Sequence, residues 1–360
     1  MIIKSLLDND LYKLTQQQVV YALHHDVNVS YKFINRDPSR KIGFNVFHQV
    51  KQAIKNLDKL KLSDDEYDWL LSLGYFNKEY LDYFKRFKFR PDEQIYLSID
   101  SSGSLTLGVH GLWHETILYE VPLMAIISDC FFGSKCDRSM VFRETLEKGH
   151  QLNNNRCKFS DFGTRRRRNF DTHETVIMGL YDQPAFIGTS NLHLAKQFSL
   201  APIGTIAHEW IMAYDAFNNH DHDKANLQAH LDWHNFYGYK VFDTALPDTY
   251  GTDSFLKHYD LGMHSRFPTI RHDSGDPFKF IDKVSLAKYY RPDITFSDSV
   301  NTNLALFLQK ATGGNCKFGI GTHFTNDFSD DVKALNIVIK LNSVNGIPVQ
   351  KLSDSPGKNT

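Results

Sequence analysis

From about residue 155 onward one unit recurs: a short apolar run, a dense polar cluster, then a helical pattern. Ala185-Phe186-Ile187 meets Gly188-Thr189-Ser190-Asn191, with helical spacing over 192–200. Ile203-Gly204-Thr205-Ile206-Ala207 meets His208-Glu209 and then 210–217. Thr269-Ile270 meets Arg271-His272-Asp273-Ser274-Gly275-Asp276, followed by 278–290. Ile294-Thr295-Phe296 meets Ser297-Asp298-Ser299, followed by 303–310, and Lys317-Phe318-Gly319-Ile320-Gly321-Thr322 ends the series. Strand alternating with helix implies a parallel sheet. Polar clusters at the C-terminal ends of the strands are where an α/β barrel keeps its active site. An open doubly wound sheet gathers ligand residues at fewer switch points. The expected fold class is therefore α/β, with an irregular TIM-like barrel over 126–334.

The chain has 360 residues, room for a barrel of roughly 250 and a remainder of about 110. That remainder is expected to be split. Ile95-Tyr96-Leu97-Ser98-Ile99 and Leu105-Thr106-Leu107-Gly108-Val109 flank Ser101-Ser102-Gly103 as a hairpin. Ile337-Val338-Ile339-Lys340-Leu341 and Ile347-Pro348-Val349 flank Asn345-Gly346, a pair that tolerates φ > 0 in a tight turn. Helical spacing fills 47–85. These pieces are expected to form one α+β sandwich domain from both chain ends, 1–125 completed by 335–360. Forty-one basic against 42 acidic side chains give a net charge of -1. That balance argues against whole-surface attraction to nucleic acid or an anionic membrane, leaving only a local patch open. The longest apolar run, 121–127, contains a proline and falls far short of the ~20 residues that span a bilayer. The N-terminus carries no signal-peptide pattern, and the four scattered cysteines make no Cys-x-x-Cys. A cytoplasmic location with reduced thiols is expected.

The strand ends carry chemistry. Asp161, Asp273, Asp276 and Asp298 offer carboxylates for Mg²⁺, directly or through water, or for ribose hydroxyls. Gly319, Gly321 and Thr322 offer backbone N–H groups to a phosphate, and Gly188-Thr189-Ser190 is a second hydroxyl-rich turn. Arg165-Arg166-Arg167-Arg168 and Arg271 add guanidinium groups that fork onto carboxylate or phosphate oxygens. Together they describe a phosphorylated, hydroxyl-bearing anion held with a divalent cation. Plainer readings stand beside this one. The arginine run also reads as a nucleic-acid patch or a solvated loop. His208-Glu209 lacks the second histidine of a zincin, since Met212 stands there. His230 and His234, with His220 and His222 nearby, are open to a metal site or to a polar, exposed segment. His208 itself is either functional or a satisfied structural histidine, and Tyr12 reads as a half-buried tyrosine on the first helix.

Longer words then carry a resemblance: Leu7-Asp8-Asn9-Asp10-Leu11-Tyr12-Lys13-Leu14-Thr15, the run 113–123 (WHETILYEVPL), Asp161-Phe162-Gly163-Thr164-Arg165-Arg166, Gly188-Thr189-Ser190-Asn191, Ala207-His208-Glu209-Trp210, Arg271-His272-Asp273-Ser274-Gly275-Asp276-Pro277, Phe296-Ser297-Asp298, Phe318-Gly319-Ile320-Gly321-Thr322 and the run 351–358 (KLSDSPGK). In this order, over nearly the whole chain, they resemble the nicotinate phosphoribosyltransferases. The resemblance implies a type II phosphoribosyltransferase, working as a homodimer. It would join nicotinate to 5-phosphoribosyl 1-pyrophosphate (PRPP), giving nicotinate mononucleotide and pyrophosphate in NAD salvage. It also implies Mg²⁺ and a ligase-type coupling to ATP through a phosphorylated histidine. By motif that histidine is His208, with Asp273 as its catalytic companion. Phe162 and Tyr12, the latter arriving from a second subunit, would sandwich the pyridine. Arg165 and Arg271 would hold the nicotinate carboxylate or the phosphates, and Ser190 completes the nicotinate site. Thr189, Ser274, Gly275, Asp298, Gly319, Gly321 and Thr322 would hold PRPP and its phosphates, with Mg²⁺ carried through PRPP and water.

Nicotinamide phosphoribosyltransferases resemble the chain too, but place an aspartate at the position of Ser190. Serine there favours the acid over the amide. The rival from another class is a non-catalytic nucleic-acid-binding protein using Arg165 to Arg168. Family members continue past the Ser-Pro-Gly-Lys motif with a further helical segment, so a naturally short protein or a fragment is expected.

Overall fold

A computed structural model describes residues 1–133, 135–239, 241–286, 291–330 and 332–354. The end of the expected helical run 278–290, at 287–290, and Ser355-Pro356-Gly357-Lys358 of the terminal motif lie outside the described residues. The strands, in chain order, are β1 (Asn28–Asn35), β2 (Ile95–Ile99), β3 (Leu105–Leu112), β4 (Lys158–Asp161), β5 (Phe186–Thr189), β6 (Thr244–Ala245), β7 (Thr269–His272), β8 (Asp293–Phe296), β9 (Cys316–Ile320), β10 (Ile337–Val344) and β11 (Ile347–Pro348).

Both chain ends build one antiparallel sheet, in the order β11-β10-β1-β3-β2. Alternation decides its faces: Val29, Tyr31 and Phe33 of β1 are buried, and Tyr31 and Phe33 pair with Leu341 and Ile339 of β10. The β10–β11 turn has φ of 47° at Asn345 and 80° at Gly346, the left-handed pair a two-residue hairpin requires. The 47–85 pattern resolves into helices Gly43–Lys55, Asp64–Ser72 and Lys78–Arg86. Ser63 and Glu66 close a reciprocal capping box on the second of these.

The second sheet has six parallel strands in the order β5-β4-β9-β8-β7-β6. Phe159, Ile270, Phe296, Phe318 and Ile320 on it are all buried. The apolar run 203–207, expected as a strand, is not one. Pro202 lacks the N–H a ladder needs, and Gly204 is pressed against the first helix, where an added Cβ would lie 3.1 Å from Leu11 and Tyr12. The segment still lies between β5 and β6: Ile203 N–H donates to Thr189 O (2.8 Å) and Thr205 Oγ1 to Thr244 O (2.9 Å). Gly188 makes that approach possible. Its φ is 140°, and a Cβ there would stand 2.1 Å from Ala201 O.

The N-terminal helix Leu11–Leu23 buries Lys13, Gln16, Gln17 and Gln18 as well as its apolar residues, so polar groups tie it into the interior. Just before it, Asp8 takes both ends of the Arg167 guanidinium (Oδ1–Nη1 2.6 Å, Oδ2–Nη2 2.8 Å), with neither side chain exposed. Asn191 Nδ2 donates to the same carboxylate at 2.9 Å. This bidentate pair joins the N-terminal segment to the ends of β4 and β5.

Candidate functional site

Because the six strands are parallel, the loops after β4, β5, β6, β7, β8 and β9 all leave from one edge of the sheet. His208 is the first residue of the helix His208–Phe217, where unpaired N–H groups favour negative charge. Its Nδ1 lies 2.9 Å from Thr249 Oγ1 and its Nε2 2.9 Å from Asp273 Oδ2. Lys351 Nζ stands 2.8 Å from the same Nε2 and donates to Asp248 Oδ2 at 2.7 Å. Asp273 is held from behind: Arg271 Nη2 (2.8 Å) and Ser297 Oγ (2.7 Å) donate to its Oδ1, and Arg271 Nε donates to Ser297 Oγ (2.8 Å). Burial lowers the His208 pKa, Lys351 adds to that, and Asp248 and Asp273 oppose it, so the ring is held neutral. Burial alone would raise the Asp273 carboxyl, but Arg271, His208 and Lys351 outweigh it and hold the group well below the carboxylate range. Two cations and two anions thus surround one neutral imidazole.

The loop after β4 carries the second half. The Phe162 ring lies over Gly319 of β9: a Cβ on Gly319 would meet ring carbon Cε2 at 2.3 Å. Arg165, on the turn Thr164–Arg166, is 41% exposed at its side chain and gives Nη1 to Glu120 Oε1 at 2.9 Å. Tyr12 of the same chain stands beside it, with the Arg165 guanidinium carbon 6.0 Å from the ring centroid and its own hydroxyl 3.4 Å from Glu120 Oε2. Within one chain, Tyr12 and Arg165 thus share Glu120 as a partner. Beneath them, fully buried Lys13 lies 2.6 Å from both Glu120 and Glu209. Burial would raise Glu120, but Lys13 and Arg165 bring it down to about 2. Burial, which Lys13 only partly offsets, pushes Glu209 up to about 7. Ser190 donates to Asp10 Oδ1 at 2.7 Å, and burial raises the Asp10 carboxyl against the pull of Arg165.

Several expected site residues are occupied elsewhere. Thr189 is fully buried and spends its hydroxyl on Asp161 Oδ2 (2.6 Å), so it is a brace rather than a phosphate ligand. Asp161 itself is taken up by Thr189, by His173 Nε2 (2.7 Å) and by the Gly163 N–H (2.9 Å). Ser274 donates to the Asp248 carboxylate. Asp276 caps the helix Pro277–Ser285 through the N–H groups of Phe278 and Lys279. Gly275, at φ 86°, packs against Asp354, whose Cβ would be 3.2 Å from an added Cβ. Asp298 is half-buried and accepts from Ser299 Oγ at 3.1 Å. Gly321 and Thr322 open the short helix Thr322–Thr325, with Phe162 O 3.0 Å from where a Gly321 Cβ would stand.

The arginine run is not a surface patch. Arg167 meets Asp8, Arg168 meets Asp330, and Arg166 Nε donates to Ile337 O at 3.1 Å. With Arg165 also tied to Glu120, the four side chains go to four different partners and do not form one contiguous basic face, which weakens the nucleic-acid reading. His230 is not in an exposed segment either. It is fully buried, takes the Leu246 N–H on Nε2 (3.1 Å) and gives Nδ1–H to Asn226 O (2.7 Å), and burial lowers its pKa to about 4. His220 and His222 both bind Asp215 at 2.7 Å. Sequence reasoning missed Asp248, Thr249, Lys351, Glu120 and Lys13 as parts of the site. Asp248-Thr249 comes just after a two-residue strand, Thr244–Ala245, that is too short to read from the sequence. Among the described residues no three His, Cys, Asp or Glu side chains converge as metal ligands, and no helix is long and apolar enough to cross a membrane. The site carboxylates Asp273 and Asp248 are already paired with Arg271 and Lys351, so they do not form an all-protein cage for a divalent cation.

Comparison with known proteins covers both sheets. The nicotinate phosphoribosyltransferase (NAPRTase) family model matches residues 157–360, and that family's N-terminal domain matches 7–128. The chain is 38% identical to a nicotinate phosphoribosyltransferase of Methanosarcina mazei, over 100% of this chain and 95% of that protein. It is also 38% identical to one of Escherichia coli O157:H7, over 99% and 92%. The crystal structure of a nicotinate phosphoribosyltransferase from Porphyromonas gingivalis superposes with a TM-score of 0.93 at 35% identity, covering 100% of this chain and 96% of that one.

Proposed function

The chain belongs to the nicotinate phosphoribosyltransferase family, and we propose that it transfers phosphoribosyl from PRPP to nicotinate by the following route. The nicotinate ring nitrogen attacks the anomeric carbon of PRPP as the bond to pyrophosphate breaks, giving nicotinate mononucleotide for NAD salvage. The ring nitrogen is already nucleophilic, so no general base is needed. The transition state is oxocarbenium-like, and a site serving it needs carboxylates near the ribose and cations near the leaving pyrophosphate. Asp273 and Asp298 supply the first, and Arg271 and Lys351 the second. Phe162 and Tyr12 flank the pyridine, and Arg165 meets its carboxylate after exchanging part of its hold on Glu120. Ser190, already committed as a donor to Asp10, sets a neutral group beside that carboxylate, which favours the acid over the amide. Gly321 and Thr322 take the 5-phosphate, and Gly319 makes room for the Phe162 ring. Mg²⁺, when bound through PRPP, screens the diphosphate charge.

His208 couples the transfer to ATP as a phosphohistidine. The observation that supports this reading is the contact set of one imidazole: neutral, with a carboxylate and an ammonium both at Nε2. The six-stranded sheet with the 201–206 segment between its end strands is read as the irregular barrel, and the enzyme as a homodimer. Initial rates of pyrophosphate release with and without ATP test the coupling. In His208→Ala the two rates become equal, and stimulation that persists in that variant removes the assignment.

A further inference from the structure

Lys351 is nearly out of reach of solvent, at 4% exposure, and its ammonium sits between His208 and Asp248. Neither its position nor its charge is accidental to the segment that carries it. The next residue, Leu352, donates its N–H to Thr249 O at 2.9 Å. Asp354 takes the Thr252 hydroxyl at 2.5 Å and the Thr252 N–H at 3.2 Å. The end of the described chain is thus fastened to the loop that bears Asp248 and Thr249, and Lys351 is aimed inward from it.

The contact set at Nε2 poses a choice of tautomer. An ammonium can only donate, so Nε2 must show it a lone pair, and the ring proton then sits on Nδ1 and goes to Thr249 Oγ1. Asp273 Oδ2, 2.9 Å from the same nitrogen, asks for the opposite: a proton on Nε2. Asp273 already receives two donors on its other oxygen, which weakens its claim. The geometry points to Lys351 as the residue that keeps the Nε2 of His208 unprotonated, its lone pair facing the ammonium, and that then follows the incoming phosphoryl group. This rests on the proposal that His208 is the residue ATP phosphorylates.

In the step, the Nε2 lone pair forms the N–P bond as the bond from the γ-phosphorus to the bridging oxygen breaks. ADP leaves with that electron pair. The Nδ1 proton stays, so the phosphorylated ring becomes cationic. The lysine's flexible stem lets its donors swing from Nε2 to the phosphoryl oxygens, which are stronger acceptors. Asp248 Oδ1, buried without a hydrogen-bond partner and 3.7 Å from Nε2, is ready to face the new positive charge.

The test uses the full chain, Mg²⁺ and ATP labelled at the γ-phosphate, reading acid-labile, alkali-stable label on the protein. In Lys351→Gln the labelling rate falls by roughly 10²-fold, the cost of one well-placed donor to a developing oxyanion. The acid limb of the pH profile also moves upward. The charged groups facing His208 are Lys351, Asp248 and Asp273, with Arg271 behind the last, and losing the single cation at Nε2 leaves the two carboxylates to favour imidazolium. Lys351→Arg returns the acid limb to its wild-type position, which a purely structural role does not explain. Label at the wild-type rate in Lys351→Gln, or an unmoved acid limb, overturns the assignment to Lys351 alone. An unlabelled wild-type protein, or full labelling of His208→Ala, overturns the phosphohistidine reading and this one with it. Should Lys351→Gln fail to fold, nitrogen NMR of His208 in the wild-type chain decides. Nδ1 protonated and Nε2 bare is the expected tautomer, and the reverse refutes the role.

Discussion

Gly319→Ala separates two readings of one strand. As a glycine before a phosphate turn, Gly319 offers its backbone to PRPP. In the structure its Cα instead receives the flat face of Phe162. An added methyl would lie 2.3, 2.4 and 3.1 Å from Cε2, Cδ2 and Cζ of that ring. The Phe162 backbone has no room to retreat, because its N–H donates to Ile320 O at 2.8 Å and its carbonyl abuts Gly321. The ring itself must turn or slide. Overpacking of this kind costs about 1–3 kcal/mol. If the strain falls on the wall that stacks the pyridine, the KM for nicotinate rises about 5- to 150-fold. Initial rates of nicotinate mononucleotide formation, with each substrate varied in turn, read the effect, and thermal unfolding checks that the variant is intact. The expected result is a raised KM for nicotinate with the KM for PRPP little changed. An unchanged nicotinate KM refutes the stacking role of Phe162. A rise in the PRPP KM alone assigns Gly319 to the phosphate.

Asp8→Ala leaves Arg167 buried and unpaired, and the expected loss of stability is about 3–5 kcal/mol by denaturant titration. Burial alone would raise the Asp8 carboxyl, but Arg167, with Asn191 and His193, holds it at about 2, below its ordinary 3.8. Its contribution of about 2 kcal/mol is therefore complete above the ordinary value and lost as pH falls through about 2, a loss absent from Asp8→Asn. Glu209 has the opposite sign: raised from 4.5 to about 7 by burial, it binds its proton more tightly folded than unfolded. Stability from this group is full below 4.5 and declines as pH rises through 7, and Glu209→Gln removes that slope from unfolding measurements across neutral pH.

Much of the architecture was legible because it follows from local pattern. Alternation and the Asn345-Gly346 turn announced the sheet shared by both ends, and repeated apolar runs before polar clusters announced the parallel one. What the pattern could not say is where a polar side chain spends its hydrogen bonds. Thr189, Ser274 and Asp276 have the right chemistry at the right strand ends, yet their partners are Asp161, Asp248 and a helix N-terminus. Four adjacent arginines look like one patch, but the turn after β4 sends Arg167 and Arg168 to carboxylates at 8 and 330, far away in sequence. Lys351 lies 143 residues from His208, and no spacing rule reaches that distance. The fold at 203–207 failed for a local reason: Pro202 and the close approach at Gly204 override an apolar run that would otherwise pair.

The most direct measurement is release of pyrophosphate from PRPP by the purified chain, with nicotinate or nicotinamide as acceptor and with ATP present or withheld. Expected is release that depends on nicotinate, far exceeds that with nicotinamide, and is accelerated by ATP. Preference for nicotinamide would contradict the acid-binding role of Arg165 and Ser190, and no release with either pyridine would contradict the assigned reaction itself.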